Sequence, residues 1–469
     1  MKKLLRLGYP HSKPLLLLLF LFQAALVWLA LTSSQPLIPL VLLLLVFLFP
    51  VIIYSPQYIF LVLLVYISIL PNMSWGAEYD LFQFYVSRSV VYFLLILSFA
   101  IFIIRNGFEK KWTMQLTVLD VFIGVFLVYA TVNLLWGLYL NTSQYETLTD
   151  YFPISLYVTY FLVRFLFVSE KWIKRFLIVF VFASTFAALE YIVLALTNLD
   201  LTSIFINRVT TQQPHLAQIS VPLLVGVLLY LDNTRLKIGA ILFLGINLLM
   251  VIFSQQRGLW VGIVFSLFAL LLLYHLKDGF SFGRIARFLF GFLLVITLLV
   301  AILILLERYL NLTFILTAYQ RVVSMLELAQ DRSLQIRMAE IGRVLGEWKE
   351  HMLVGEGLGA TYERIYVFRG NSGVDNSYIF VLWKLGIIGL LLFMGIYITY
   401  IGQNFRLYWK LKTTREQFVL ASLGVGMAGM LVIALTNQSI ILYRFNLIWA
   451  AILGISQNMS QRYLSIPDS

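Results

Sequence analysis

Apolar runs of roughly 17 to 23 residues recur along this chain, each long enough to cross about 30 Å of hydrocarbon as a helix. They fall near 15–32, 37–54, 57–71, 88–104, 118–138, 153–168, 176–197, 219–231, 238–254, 258–275, 288–306, 378–401, 417–436 and 441–456. The pattern predicts an all-α, polytopic bundle of about fourteen membrane spans. A transmembrane barrel would instead show short alternating segments. Composition agrees, since 61% of the 469 residues are hydrophobic and only 12% charged, well below the charged share of a globular domain. The opening MKKLLRLGYPHSKPLLLLLFLFQ imitates a signal peptide. No small-residue cleavage site follows it, so the reading expects a retained first helix.

A net charge of +12 would suit a nucleic-acid partner, but its distribution points to topology. With the N-terminus cytoplasmic, the inside loops hold Lys110, Lys111, Lys171, Lys174, Arg175, Arg235, Lys237, Arg284, Arg287, Arg406, Lys410, Lys412 and Arg415. The outside loops hold Glu78, Asp80, Glu146, Asp150 and Asp200 instead. That is the positive-inside pattern, and no nucleic-acid partner is expected. Parity then places the one long hydrophilic segment, 307–377, outside, between transmembrane regions 1–306 and 378–469. The chain has no cysteine, which removes thiolate metal sites, disulfides and thiol nucleophiles. Redox chemistry, and a cofactor for it, is therefore not expected.

Within 307–377, Leu334, Met338, Ile341, Leu345, Trp348 and Met352 recur at steps of four and three, one face of an amphipathic helix. This predicts that the apolar stripe rests on the membrane body while Arg337, Glu340, Arg343 and Glu347, which lie off it, face a cavity or water. The run breaks at GEGLGA, 355–360, where glycines permit turns closed to other residues. A nucleotide-phosphate loop would need a preceding strand and a following helix, and the pattern offers neither. No inverted repeat of the transporter kind is visible.

Charges at membrane depth are costly and usually functional, which singles out Arg88, Arg164, Glu190, Arg257, Lys384 and Arg444. Snorkelling to the headgroups is the plain alternative for several of them, Arg88 and Lys384 included. In FSQQRGLWVG, Gln255, Gln256 and Arg257 stand at a break between two apolar runs, ahead of Gly258. A guanidinium there can grip a pyrophosphate bidentately. Arg208 is a second cation on the same side, and nearby His215 reads as an ordinary loop histidine. In VDNSYIFVLWKLGIIG, Asp375 and Asn376 precede a helix, where they suit N-capping, an outer-face catalytic role, or both.

These blocks resemble the O-antigen ligase and O-antigen polymerase superfamily of bacterial polysaccharide enzymes. SQQRGLWVG is similar to the family's Ser-x-Arg-Gly stretch, and RMAEIGRVLGEWKEHMLVGEGLGATYE to its Arg-bearing outer helix and Gly-x-Gly-x-Gly turn. Asn376, Gly386 and Gly389 keep the spacing of the ligase signature, with Asp375 in place of its histidine. The resemblance implies a C-type glycosyltransferase fold in the bacterial cytoplasmic membrane. It also implies an undecaprenyl pyrophosphate-linked glycan donor, a glycan acceptor, and no metal or nucleotide sugar. A chain-length regulator or flippase is the protein partner to expect beyond the lipid bilayer. By matched motif, Arg257 and Arg337 would bind pyrophosphate and Asp375 would take the ligase histidine's place. Asp375 or Glu340 would accept the proton of the attacking hydroxyl, with Arg208, Gln255, Gln256, Asn376, Arg88 and Lys384 around the substrate. The aspartate favours polymerisation of surface polysaccharide over ligation to an acceptor such as lipid A core. A lipid-linked oligosaccharide flippase or other transporter is the reading from another class. That reading would spread charges through the midplane of both halves and has little use for a large outer segment.

Overall fold

The computed structural model describes residues 56–69, 81–109, 116–140, 143–197, 213–278, 332–362, 373–411, 414–438 and 442–464, with isolated helical positions at 283, 286, 290, 297 and 301. Every regular element among the described residues is helical. Residues 1–63 and 92–112 form one compact unit, while 64–91 and 113–469 form the other. The first unit contributes the start of α1 (Pro56–Ile69) and most of α2 (Leu81–Glu109), with Ile59, Phe60 and Leu63 buried.

The second unit holds the remaining described elements. Its elements are α3 (Val118–Tyr139), α4 (Gln144–Ser155), α5 (Thr159–Leu166), α6 (Glu170–Thr197), α7 (Ala217–Tyr230), α8 (Thr234–Ser254) and α9 (Arg257–Asp278). After them come α10 (Arg332–Trp348), α11 (Ser377–Lys410), α12 (Thr414–Ala434) and α13 (Tyr443–Leu464). Short 3-10 turns precede α5 at Leu156–Val158 and α7 at Gln213–Leu216.

Seven stretches among the described residues are long and apolar enough to cross a membrane: α3, α6, Gln213–Tyr230, α8, α9, α11 and α12. The expected spans at 15–32 and 37–54, and most of 288–306, lie outside the described residues. Two expectations change in kind. The run 153–168 is not one helix, because Pro153 lies inside α4, where it cannot donate to the helical ladder, and the chain passes through the 3-10 turn before α5 begins. The run ending at 456 continues as helix to Leu464, since its polar tail is paired inside the bundle. Tyr400 and Ser456 share a hydroxyl contact of 3.0 Å, and Asn458 Nδ2 donates to Val163 O at 3.4 Å.

At the centre, α7 packs on α8, α9 and α12. Helices surrounded by hydrocarbon associate through small residues and interhelical hydrogen bonds, and both occur here. Gln218 Nε2 donates to Gly262 O, Ser266 Oγ and Gly426 O, while Ser184, Ser220 and Asn247 close a second buried network. One end of the bundle collects segments expected inside the cell. There Lys277 Nζ caps the end of α11 through the carbonyls of Tyr408 and Leu411, a favourable place for a cation at a helix C-terminus.

Candidate functional site

The other end gathers segments expected outside. Its hub is the stretch that ends α12, residues 435–438. Asn376 Nδ2 donates to Leu435 O at 3.0 Å, and Ser377 Oγ to Asn437 O at 2.7 Å. Asn437 Nδ2 meets His215 Nε2 at 3.1 Å. Gly258 lies so close that a Cβ there would stand 2.2 Å from Thr436 Oγ1. Glycine after Arg257 is therefore a packing requirement, and it seats the start of α9 beside the start of α11. His215 is 2% exposed, so it is a buried residue and not an ordinary loop histidine; Gln213 Nε2 beside it donates to Glu190 Oε2 at 2.9 Å.

The turn before α9 is built locally. Gln255 takes the left-handed conformation (φ 50°) that closes α8, and Ser254 Oγ accepts from Gln256 N. Arg257 thus becomes the first residue of α9. A cation at a helix N-terminus is unfavourable with the dipole alone, whereas an anion held there meets both the guanidinium and the first helical N–H groups. Gln256 is buried, while Gln255 and Arg257 are partly exposed.

The expected capping pair divides its labour. Asn376 is the N-cap of α11, its Oδ1 accepting from the N–H groups of Tyr378 and Ile379. Asp375 instead accepts from Arg337 Nε at 3.2 Å. Two residues 38 positions apart, both singled out from the sequence, thereby meet. The stripe meets the body only in part. Met338, on the apolar stripe, is 60% exposed, whereas Glu340 is buried. The helix packs through Val344, with Ile341 and Trp348 alongside, against Ala360, Tyr362, Val374 and Trp383. Arg337, Glu340 and Glu347 turn toward the body with that face, and Arg343 stays exposed. Burial and the charge of Glu356 push the Glu347 carboxyl up from its usual range.

The GEGLGA segment has a physical role that the sequence left open. α11 breaks at Gly386 (φ 67°, ψ −172°), a backbone region essentially reserved for glycine. Residues 352–357 insert into the break. Ile387 N and Ile388 N donate to Met352 O and Leu353 O at 3.0 and 3.3 Å. In return Glu356 N and Gly357 N donate to Trp383 O and Lys384 O at 2.8 and 3.2 Å. Two rungs of a helix are thus exchanged for four bonds to a loop whose Gly355, Gly357 and Gly359 all have positive φ. Non-helical backbone at membrane depth requires this kind of internal pairing. The spacing of Asn376, Gly386 and Gly389 now reads as cap, break and clearance, since a Cβ at Gly389 would collide with Leu385.

Lys384 is fully buried and ion-paired with Asp150, with the Phe380 and Trp383 rings 4.9 and 4.8 Å away. It stands among loop-holding residues. Arg208 and the Arg88 side chain lie outside the described residues. Sequence reasoning missed Asn133, Asp150 and the 435–438 hub. The signals available were slight: one asparagine in the apolar run YATVNLLWG, and the polar TNQS after α12.

No curated protein matches the chain significantly. Residues 239–394, from α8 through the turn before α9, α10 and the docked loop into α11, match the family model described as O-antigen ligase. That match, over about a third of the chain, supports the resemblance to the O-antigen ligase and polymerase superfamily.

Proposed function

We propose that this protein is a membrane glycosyltransferase that takes its donor from undecaprenyl pyrophosphate-linked glycan. It polymerises surface polysaccharide repeat units at the outer face of the bacterial cytoplasmic membrane. The observation that carries the reading is the Arg337–Asp375 pair, set at the same end of the bundle as Arg257. Displacing a pyrophosphate from an anomeric carbon builds negative charge on the leaving group, and fixed guanidinium groups stabilise that charge. Arg257 supplies one, together with the N–H groups that open α9. Arg337 supplies the other. It engages Asp375 through Nε, which among the described residues leaves the two Nη groups of its fork for a phosphate.

The attacking sugar hydroxyl needs a proton acceptor within hydrogen-bond reach. Asp375 takes that role, oriented by Arg337, with Glu340 one turn along α10 as the second carboxylate. The proton passes to Asp375 as the new glycosidic bond forms, and the pyrophosphate leaves on its lipid between the two arginines. An aspartate at the ligase-histidine position supports polymerisation over ligation.

The test is purified protein in detergent with a lipid-linked repeat unit and no nucleotide sugar. A ladder of lengthened lipid-linked products is expected. Transfer only onto an added lipid A core acceptor would assign ligation instead, and no change in the donor would refute glycosyl transfer.

A further inference from the structure

The docked loop is gripped from a second side, by helices that precede the family-matched stretch. On α3, positions 129, 133 and 137 form one stripe at steps of four. Tyr129 Oη donates to Leu385 O at 2.8 Å. Asn133 uses both ends of its amide, Nδ2 donating to Val354 O at 2.8 Å and Oδ1 accepting from Leu358 N at 3.0 Å. Gly137 lets the loop come against the helix, for a Cβ there would stand 2.1 Å from Leu358 O. From α4, Asp150 Oδ2 accepts from Gly359 N at 2.8 Å and pairs with Lys384. Asn133 and Asp150 are each 3% exposed. Lys384 lies seven residues into α11, about 10 Å along its axis. Nearly every polar group of this cluster ends on the loop or on the break that receives it.

The loop in turn continues α10. Trp348 Nε1 donates to Met352 O at 3.1 Å, fastening the end of that helix to the start of the loop. Whatever fixes residues 352–359 therefore fixes the far end of the helix that carries Arg337. We propose that Asn133 and Asp150 are positioning residues for the transfer reaction, a latch that sets α10 and so places Arg337 against Asp375. The role rests on the glycosyl-transfer reading above; the latch itself does not.

Asp150 has two separable duties, countercharge to Lys384 and acceptor for Gly359. Removing one partner of a buried pair is strongly destabilising, whereas neutralising both is often tolerated. Asp150→Asn with Lys384→Met keeps an acceptor for Gly359 without either charge. Asp150→Leu with Lys384→Met is equally neutral but lacks the acceptor. Because the chain has no cysteine, spin labels can be placed cleanly at Gly346, where a Cβ meets open space, and at Tyr139, which is 75% exposed.

The Asn/Met variant should keep a narrow interspin distance distribution and near-normal turnover. The Leu/Met variant should insert and fold, yet show a broadened distribution and a kcat about 10- to 100-fold lower, the scale of an ångström's misplacement. Its donor KM should change by no more than about threefold, because Arg257 and the N–H groups that open α9 still hold the pyrophosphate in the ground state. Asn133→Ala alters no charge and should give the same two readouts, which keeps the test intact if the Leu/Met variant fails to insert. A narrow distribution and normal kcat in the acceptor-less variants would reduce Asp150 and Asn133 to packing and overturn the proposal. The distance arm needs no turnover, so a latch without transferase activity would sink the glycosyl-transfer reading and leave the latch standing.

Discussion

Replacing Gly386 by alanine attacks the break on which the docked loop depends. The glycine-only conformation alone costs another residue about 1–3 kcal/mol. The new Cβ would also stand 2.1 Å from Leu353 O and 2.6 Å from Gly355 N, so the loop must yield. If it leaves, four backbone bonds to α11 go with it, at about 1 kcal/mol each. So do the bonds from Asn133 and Asp150 and the burial of Leu358, which is 0% exposed. A straightened α11 would recover two helical bonds and about 1 kcal/mol of helix propensity. Either route leaves a net loss of several kcal/mol, localised to residues 351–360. Thermal unfolding in detergent should show a lower midpoint, and limited proteolysis should cut near Gly355 while the bundle stays intact. Gly346→Ala, in open space on α10, is the control and should be neutral or slightly stabilising. A protected loop and an unchanged midpoint for Gly386→Ala would refute the account of the break.

Arg257→Ala should lower glycan transfer by at least about 100-fold with normal membrane insertion, and Arg257→Lys should also be poor because a point charge lacks the planar fork; near-normal product length would make this arginine a mere anchor. Asp375→Asn should leave the start of α11 intact, since Asn376 is the cap. It should still cost about 100-fold or more in turnover, the usual scale for a general base, and wild-type turnover would shift the base to Glu340. Glu347→Gln tests the buried side of α10. Burial and Glu356 raise this carboxyl, so the folded state holds its proton more tightly than the unfolded chain, a contribution complete below about pH 4.5 and lost as pH rises through the raised value. Relative to wild type, the glutamine variant should gain thermal stability toward neutral pH and show no gain near pH 4; a gain that grows on acidification would contradict the sign.

Helices were legible where apolar runs stood alone, as in α3, α8 and α9. They were not legible where polar residues have partners inside the bundle. Ser456, Gln457 and Asn458 read as the end of a span, yet α13 continues through them. The same limit governed α10: its stripe was visible and packs through Ile341 and Trp348, but hydropathy carries no information on Arg337 finding Asp375 or on Glu340 being buried while Met338 is exposed. Arg257, Arg337 and Asp375 could be singled out because charge and glycine spacing are local signals. The Lys384 partner could not, being 234 positions away in a helix with no motif of its own.

The loop threaded through α11 also dictates an order of assembly. α3, α4 and the 351–360 segment are all synthesised before Ser377 emerges, so the surfaces that hold the break exist before the helix that contains it. Residues 377–385 need not form a span that is later pried open. They can arrive as a short stub, capped at Asn376 and stopped at Gly386, with Ile387 and Ile388 docking on carbonyls already waiting. Docking of the loop would then be complete with the arrival of α11, before the 435–438 hub is made, and a chain truncated before Gly386 would leave the loop without the element it is built to enter.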